Sequence, residues 1–517
     1  MDKPAISVIV NTYNRAATLE NALMGLSGLN YSNFEVVVVN GPSTDQTEEI
    51  AERWAHFIKV VRCNVANLAI SRNVGIAAAA GDIIAFLDDD AIPHPQWLSR
   101  LSIAYADELV GAVGGFTVDN TGVRFQCRKT VCDRYGNAHH VSSMFDERSL
   151  NLVGSPLYPS LLGTNSSFRT DILREIGGFD HTFSYFLDET DVCLRIVDAG
   201  FKILYESSAL VFHQFAASHI RSARRIARTV YPSAVSKAYF IMRHGSAHSY
   251  EAAGKQLANY RTEVLNSIER QAVGGDITLD HRISLEQDLL VGIKDGICRA
   301  SDRAAKKNGD LDASNAQIPF KKFARPRKKR IAFVSQQYSG PFDAGISRWT
   351  FLAATGLASR GHTVHVICRG DRSTSFSNGV WVHSIEDEAE FGDVLAAQEA
   401  VPQHIASRAA AVRNAMQYVK SFGLDAISFP IWDLEGIGCL DDRSVSVIMS
   451  LHTTYGLAQP HKVEWNTKPL FRHFVVDPVI AAERRLLATV PTIIANSAAI
   501  VRDLQAVSYT HLRAHET

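Results

Sequence analysis

The chain has 517 residues, 46% of them hydrophobic and 21% charged, with a formal net charge of −1. That length holds two or three domains, each able to bury a proper core, and the near-neutral balance argues against a general nucleic-acid binder. Seven scattered cysteines point to a reducing, cytosolic setting, and no apolar run approaches the roughly 18–20 residues that a membrane span needs.

From the N-terminus, Ile6 to Val10 is a short apolar run that ends in the polar Asn11-Thr12-Tyr13-Asn14-Arg15. A helical stretch follows, with Leu19, Ala22, Leu23 and Leu26 on one face. Phe34 to Val39 is a near-continuous β-branched run, the pattern of a strand buried on both faces. It ends at Asn40-Gly41-Pro42-Ser43-Thr44-Asp45, before another helix. Ile58 to Val61 reads as a third strand, and the Ala-rich Asn67 to Ala80 as a helix stopped by Gly81. Strand, polar loop and helix, repeated, predict a parallel sheet with helices on its faces. Ligands of such sheets sit at the carboxyl ends of the strands, where the polar loops lie.

The next apolar run, Ile83 to Leu87, leads into Asp88-Asp89-Asp90. Side chains alternate along a strand, so Asp88 and Asp90 point one way and Asp89 the other. Paired carboxylates at the end of a buried strand need a cation or strong donors. Presented together, they suit a hard, oxygen-seeking ion, Mn²⁺ or Mg²⁺. Such an ion also takes substrate phosphates, which suggests a diphosphate-bearing substrate. The plainer alternative is a solvated acidic turn before Pro93.

Further motifs follow in order: Gly163-Thr164-Asn165-Ser166-Ser167-Phe168-Arg169, Ile176 to Asp180, Asp188-Glu189-Thr190-Asp191 running to Arg195, and His213. With Ser7 to Arg15, Ser43-Thr44-Asp45, Ser71-Arg72-Asn73 and Phe86 to Asp90, they resemble a family 2 glycosyltransferase of the GT-A fold. The resemblance spans about residues 5–215. It implies inverting transfer of a sugar from a nucleotide-sugar donor to a hydroxyl of a glycan or lipid-linked acceptor. It implies that Asp88 and Asp90 hold the ion that stabilises the departing diphosphate. His213 is either a further ligand or a satisfied core histidine. The acidic pair of the family falls on Asp188-Glu189, with Glu189 as the base that takes the acceptor proton. Asp188 could instead cap a helix, and Asp191 could pair with Arg195 one turn on. The donor pocket implied by the resemblance draws on Thr12, Tyr13, Arg15, Asn40, Asp45, Arg72, Asp88, Asp89, Thr164 and Asn165. Asn40 stands where many relatives carry Asp, and its amide can still pair with a uracil edge. Cys127, Cys132, His139 and His140 fit no tight zinc knuckle and read as a mobile acceptor-side loop.

Residues 216–320 lose the strand pattern and read as a helical extension. Arg221, Arg224, Arg225 and Arg228 would line one helix face, either solvated or gripping an anionic lipid head group at the inner face of a membrane or a lipid-linked diphosphate acceptor. Residues 321–330 form a basic linker. A second α/β domain covers 331–506. Pro341 to Arg348, Arg360 to Val364, Leu451 to Thr454 and Ala495 to Ser497 resemble the N-terminal half of a family 4-type glycosyltransferase of the GT-B fold. In it Gly345 would allow close backbone approach, and His452 is an acceptor-side candidate. On that resemblance a second Rossmann-like half is expected and not found, so the chain reads as cut short. Residues 507–517 resemble translated adapter sequence. The expected architecture is therefore a GT-A domain over 1–215, the helical extension, the linker and an incomplete GT-B domain. Two other classes share some of these features. A nucleotidyltransferase would want a glycine-rich basic loop that Asn11 to Arg15 lacks. A glycan-binding scaffold would have no use for two acidic pairs.

Overall fold

The computed structural model describes residues 3–140, 147–218, 220–222, 224, 226–246, 249–302, 318–324, 329–338, 340, 345–387 and 389–506. Its contacts divide the chain into two units, Met1–Asn120 with Arg124–Arg325, and Thr121–Val123 with Pro326–Thr517.

The first unit opens with β1 (Ile6–Thr12), α1 (Ala16–Ser27), β2 (Phe34–Asn40), α2 (Thr47–Trp54), β3 (Lys59–Arg62) and α3 (Leu68–Ala78). It continues through β4 (Ile83–Asp88), β5 (Ala91–Pro93), α4 (Trp97–Ala104) and β6 (Val110–Val118). Short pieces follow: β7 (Phe125–Cys127), β8 (Thr130–Asp133), β9 (Ala138–His140), α5 (Glu147–Leu150) and β10 (Leu157–Pro159). Then come β11 (Ser166–Arg169), α6 (Thr170–Glu175), α7 (Asp188–Asp198), β12 (Lys202–His213), α8 (Tyr231–Phe240), α9 (Tyr250–Val273) and α10 (Leu279–Ser301).

The main sheet runs β3-β2-β1-β4-β11-β6-β12-β5, with β7 beside β6. The first four strands are parallel, as the sequence pattern predicts. Alternation explains the burial on both faces. Val8, Val10, Val36 and Val38 pack under Leu19, Leu23 and Ile50 from α1 and α2, whereas Ile9, Val37 and Val39 pack under Ala69 and Ile76 of α3.

Three expectations change. Arg221 to Arg228 form no helix: Arg221 and Ala227 make an isolated antiparallel bridge, and Arg225 lies outside the described residues. The Cys127–His140 stretch is not simply a loop, because β10, β8 and β9 make a small antiparallel sheet. Cys132 is buried and His139 pairs with Asp133 at 3.2 Å. The start of the basic stretch is docked rather than free. Phe323 stacks on Phe34 at 5.2 Å, and the Lys321 amide donates to the buried Glu35 at 2.7 Å, where Lys59 also pairs at 2.8 Å. A Lys/Arg-rich composition hides this anchoring, which comes from one aromatic ring and one backbone amide. In the helical region, α10 lies close on α8. A Cβ on Gly296 would come within 2.4 Å of the Val235 carbonyl oxygen, so bulk there is excluded.

The second unit contains β13 (Arg330–Ser335), α11 (Gly345–Ser359), β14 (Thr363–Arg369), β15 (Ser373–Ser377), β16 (Val380–Ile385), α12 (Ala389–Glu399), α13 (Gln403–Phe422) and β17 (Ala426–Pro430). It closes with β18 (Ser446–Leu451), α14 (Tyr455–Ala458), α15 (Val463–Asn466), α16 (Pro469–Phe471), α17 (Asp477–Thr489), β19 (Thr492–Ala495) and α18 (Ala498–Ala506). Its sheet runs β15-β16-β14-β13-β17-β18-β19, parallel except at β15. Residues 507–517 lie outside the described residues. Among the described residues, no helix is long and apolar enough to cross a membrane.

Candidate active site

In the first unit, β1, β2 and β4 end side by side: Asn11 pairs with Asp88 and Thr12 with Asn40. Beyond those ends lies a cleft lined by Thr12, Tyr13, Arg15 and Asp88–Asp90, and across from them by Tyr185, His213 and Arg221. The position matches the rule for parallel sheets.

Asp88, Asp90 and His213 each offer one ligand atom, all within 4.8 Å of one another. His213 Nε2 is 3.1 Å from Asp90 Oδ1 and 3.9 Å from Asp88 Oδ2, while its Nδ1 meets Gln126 Oε1 at 2.8 Å. That second contact turns Nε2 toward the carboxylates, as outer partners of metal-bound histidines do. Burial raises the Asp88 carboxyl, partly offset by His213. Burial acts on Asp90 too, but the hydrogen bond and charge of His213, with Arg15, outweigh it and hold the group below its usual range. Two carboxylates and an oriented imidazole, crowded together with Asp90 and His213 buried and Asp88 partly open to the cleft, fit a divalent cation. Asp89, in the turn after β4 and not on an opposite strand face as expected, also lines the cleft; burial pushes it up to about 8, against the pull of Arg15 at 3.8 Å.

The acidic pair sits at the start of α7. The lead-in residues Phe186 and Leu187 both lie in the left-handed region, with φ of 73° and 66°. For residues with a side chain this costs about 1–2 kcal/mol each, strain of the kind found at functional sites. It turns Tyr185 to the cleft and sends Asp188 inward, to 1% exposure. Asp188 is the first helical residue, not the cap, and makes no capping bond. Instead it pairs with Arg72, whose Nη1 is also 3.6 Å from Glu189 Oε2. Arg72 lies over the rings of Phe86 and Phe179, 5.5 and 5.0 Å from their centroids. Burial raises Asp188 well above the usual range. Burial also opposes charge on Glu189, yet Arg72 and the hydrogen bond with Asp188 hold it below its usual range. The two carboxylates share the one guanidinium of Arg72 and act as a coupled pair.

A short turn, Gly163–Asn165, ties this pair to the acidic strand end. The Gly163 amide donates to Glu189 Oε1 at 3.0 Å, and the Asp88 amide reaches Thr164 Oγ1 at 3.4 Å. A Cβ on Gly163 would meet Arg72 at 2.4 Å and Glu189 at 2.7 Å, which explains the glycine.

Other expected residues stand elsewhere. Asp191 is fully buried between Arg195 at 2.6 Å and His244 at 2.7 Å, with no exposure to a substrate. Arg72 serves the acidic pair and does not line the cleft. Asn165 spends its amide on the Phe116 and Ala209 carbonyls and on the Trp97 indole. Asp45 fixes the loop by accepting from the Ala16 and Thr47 amides. Asn40 accepts from Ser43 Oγ at 2.8 Å and is 3% exposed. Arg221, which the sequence suggested for lipid, lines the cleft instead, with its guanidinium 6.0 Å from the Tyr185 ring centroid. Tyr185 and Gln126 carried no sequence signal. Arg221 could have been found from its place just beyond the last sheet strand.

Residues 7–177 match the profile of Glycosyl transferase family 2, and residues 344–513 that of Glycosyltransferase Family 4. Glycosyltransferase AglE of Haloferax volcanii is 28% identical over 221 residues, 41% of this chain and 67% of that protein. The pre-mycofactocin glycosyltransferase of Mycobacterium tuberculosis is 27% identical over 40% of this chain and 42% of its own length. The O-antigen chain rhamnosyltransferase WbaN of Salmonella anatum is 25% identical over 41% of this chain and 66% of its own. The matched stretch thus spans from under half to about two thirds of these relatives. Among solved structures, the mannosyltransferase PcManGT of Pyrobaculum calidifontis, in complex with GDP-Man and Mn²⁺, aligns over 58% of this chain and 89% of its own at 17% identity, TM-score 0.36. Staphylococcal TarS aligns over 60% and 89% at 18% identity, TM-score 0.35.

Proposed function

We propose that this chain, which joins a family 2 glycosyltransferase domain to a family 4-type domain, uses its first unit to move a sugar from a nucleotide-sugar donor to a hydroxyl, with inversion. The observation that carries the reading is the Gly163–Asn165 turn, bonded to Glu189 on one side and to the Asp88 backbone on the other. It links Glu189, at the start of α7, to the end of β4 that carries Asp88.

In this reading Asp88, Asp90 and His213 hold Mn²⁺ or Mg²⁺, and the imidazole ligand favours Mn²⁺. The ion, when bound, supplies Lewis-acid stabilisation of the nucleoside diphosphate leaving group. Tyr13 and Thr12 line the nucleoside side of the cleft, and Arg221 adds a positive charge for the diphosphate. Glu189 accepts the acceptor hydroxyl proton as that oxygen attacks the anomeric carbon. The bond to the diphosphate breaks on the opposite face, so the configuration inverts. Asp188 and Arg72 keep Glu189 charged and aimed; Asp191 positions α7 and touches no substrate.

The acceptor is a glycan or lipid-linked sugar of surface polysaccharide synthesis, by analogy with relatives named for O-antigen assembly. The seven unpaired cysteines accord with a reducing, cytosolic site of action. A panel of nucleotide sugars, incubated with and without Mn²⁺ and followed by NMR of the anomeric proton, tests the reading. Metal-dependent release of one nucleoside diphosphate with an inverted product supports it. Retention of configuration would remove Glu189 from its role.

A further inference from the structure

We propose that the second unit docks on an anionic lipid surface through residues 462–474. This stands apart from the reading of the first unit. Four large apolar side chains in this stretch face outward: Val463 at 69% exposure, Leu470 at 75%, Phe471 at 40% and Phe474 at 64%. Scattered exposed apolar residues are ordinary, but four within twelve positions form a patch that asks for a partner.

The exposure is built in. Beneath α15, Trp465 stacks on Tyr455 at 4.8 Å, and Tyr455 on Trp432 at 4.6 Å, so the helix is pinned and Val463 is left outside. At the other end Val476 and Val479 are fully buried in the unit's core. Pro469 starts a helical run that continues through Arg472–Val476 into α17, so Leu470 and Phe474 stand on the first turns of that helix while Val476 and Val479 anchor it in the core. Leu470 and Phe474 stand one helical turn apart and share a face.

Charge identifies the occupant. Lys462, Lys468 and Arg472 are interleaved with the apolar residues, against Glu464 alone, and His461 and His473 flank them. Lys462 and Arg472 have only loose, exposed partners, Glu464 at 4.0 Å and Asp477 at 3.4 Å. Aromatic and aliphatic side chains among cations are what the boundary of an anionic bilayer selects: the apolar groups enter the acyl edge and the cations meet the head groups. Of the arginines expected to serve this purpose, Arg221 lines the first unit's cleft instead.

The test is vesicle co-sedimentation of the full chain at physiological salt, with phosphatidylcholine vesicles and with vesicles carrying phosphatidylglycerol. Partitioning should be at least about tenfold stronger on the anionic vesicles. The Leu470→Glu/Phe474→Glu double variant should lose about tenfold or more, with an unchanged far-UV spectrum. A second variant, Phe474→Trp, should bind as wild type and be quenched by brominated lipid. Equal partitioning onto both vesicle types, or a double variant that sediments like wild type, overturns the proposal. So does light scattering that shows a wild-type dimer made monomeric by the double substitution while vesicle binding persists, since the patch would then serve a second copy.

Discussion

Asp90 Oδ1 and His213 Nε2 lie 3.1 Å apart because two strands bring them together. His213 faces Ala91 across the β5–β12 ladder, so the residue before Ala91 falls beside the imidazole. The Gln214 and Ala216 amides then donate to the Asp90 carbonyl and carboxylate, at 2.9 and 2.7 Å. An acidic triplet that could have been a solvated turn is thereby made one side of a three-residue site.

Glu189→Gln keeps the volume and the bond from Gly163 but cannot accept a proton at neutral pH. Turnover should fall about 10²–10⁴-fold with donor affinity little changed. Steady-state kinetics beside calorimetric donor binding checks this. Weakened donor binding with normal turnover would make Glu189 a donor-side residue.

Arg72→Met should destabilise the first unit by about 3–5 kcal/mol, because Asp188 and Glu189 would be left buried without their cation. The readout is the urea midpoint. A shift of only a few tenths of a kcal/mol would mean that one carboxylate simply takes up a proton.

Asp191→Asn should flatten the acid limb of the stability curve. Burial opposes charge on Asp191, but Arg195 and His244 hold its folded pKa well below the usual carboxylate range. The folded state therefore binds fewer protons than the unfolded one near the ordinary aspartate value of about 3.9. The stabilisation is present above that pH and is lost as pH falls toward the folded value. Urea midpoints between about pH 3 and 6 should fall more steeply in wild type than in the variant.

The strands, the parallel sheet they build and the acidic strand end were legible, since each follows from local period and from the polarity of strand termini. The pairing of β5 with β12 was not, and it alone decides that His213 is a neighbour of Asp90. Arg72 was placed in the donor pocket by the family resemblance, whereas α3 delivers it to the acidic pair. Arg221 to Arg228 looked helical by spacing, but spacing does not show that Ser218, Ile220 and Arg221 line the cleft. Phe323 was hidden among lysines and arginines, and only the Phe34 ring shows that the segment is anchored.

Arg221→Ala should weaken nucleoside diphosphate binding roughly tenfold, the loss of one charge-assisted contact at a partly open site. Fluorescence titration with the diphosphate and with the bare nucleoside separates the two effects. An equal loss for the nucleoside would place Arg221 on the base rather than on the phosphates.

The most direct test of the account is calorimetric binding of a panel of nucleoside diphosphates to the full chain, with Mn²⁺ and with EDTA, in wild type and in Asp90→Ala. One nucleoside diphosphate should bind wild type in Mn²⁺, lose at least about a hundredfold in EDTA, and show the same loss in the variant even with Mn²⁺. Binding that is equally tight in EDTA, or unimpaired in Asp90→Ala, would contradict the assignment of Asp88, Asp90 and His213 to a metal that holds the donor.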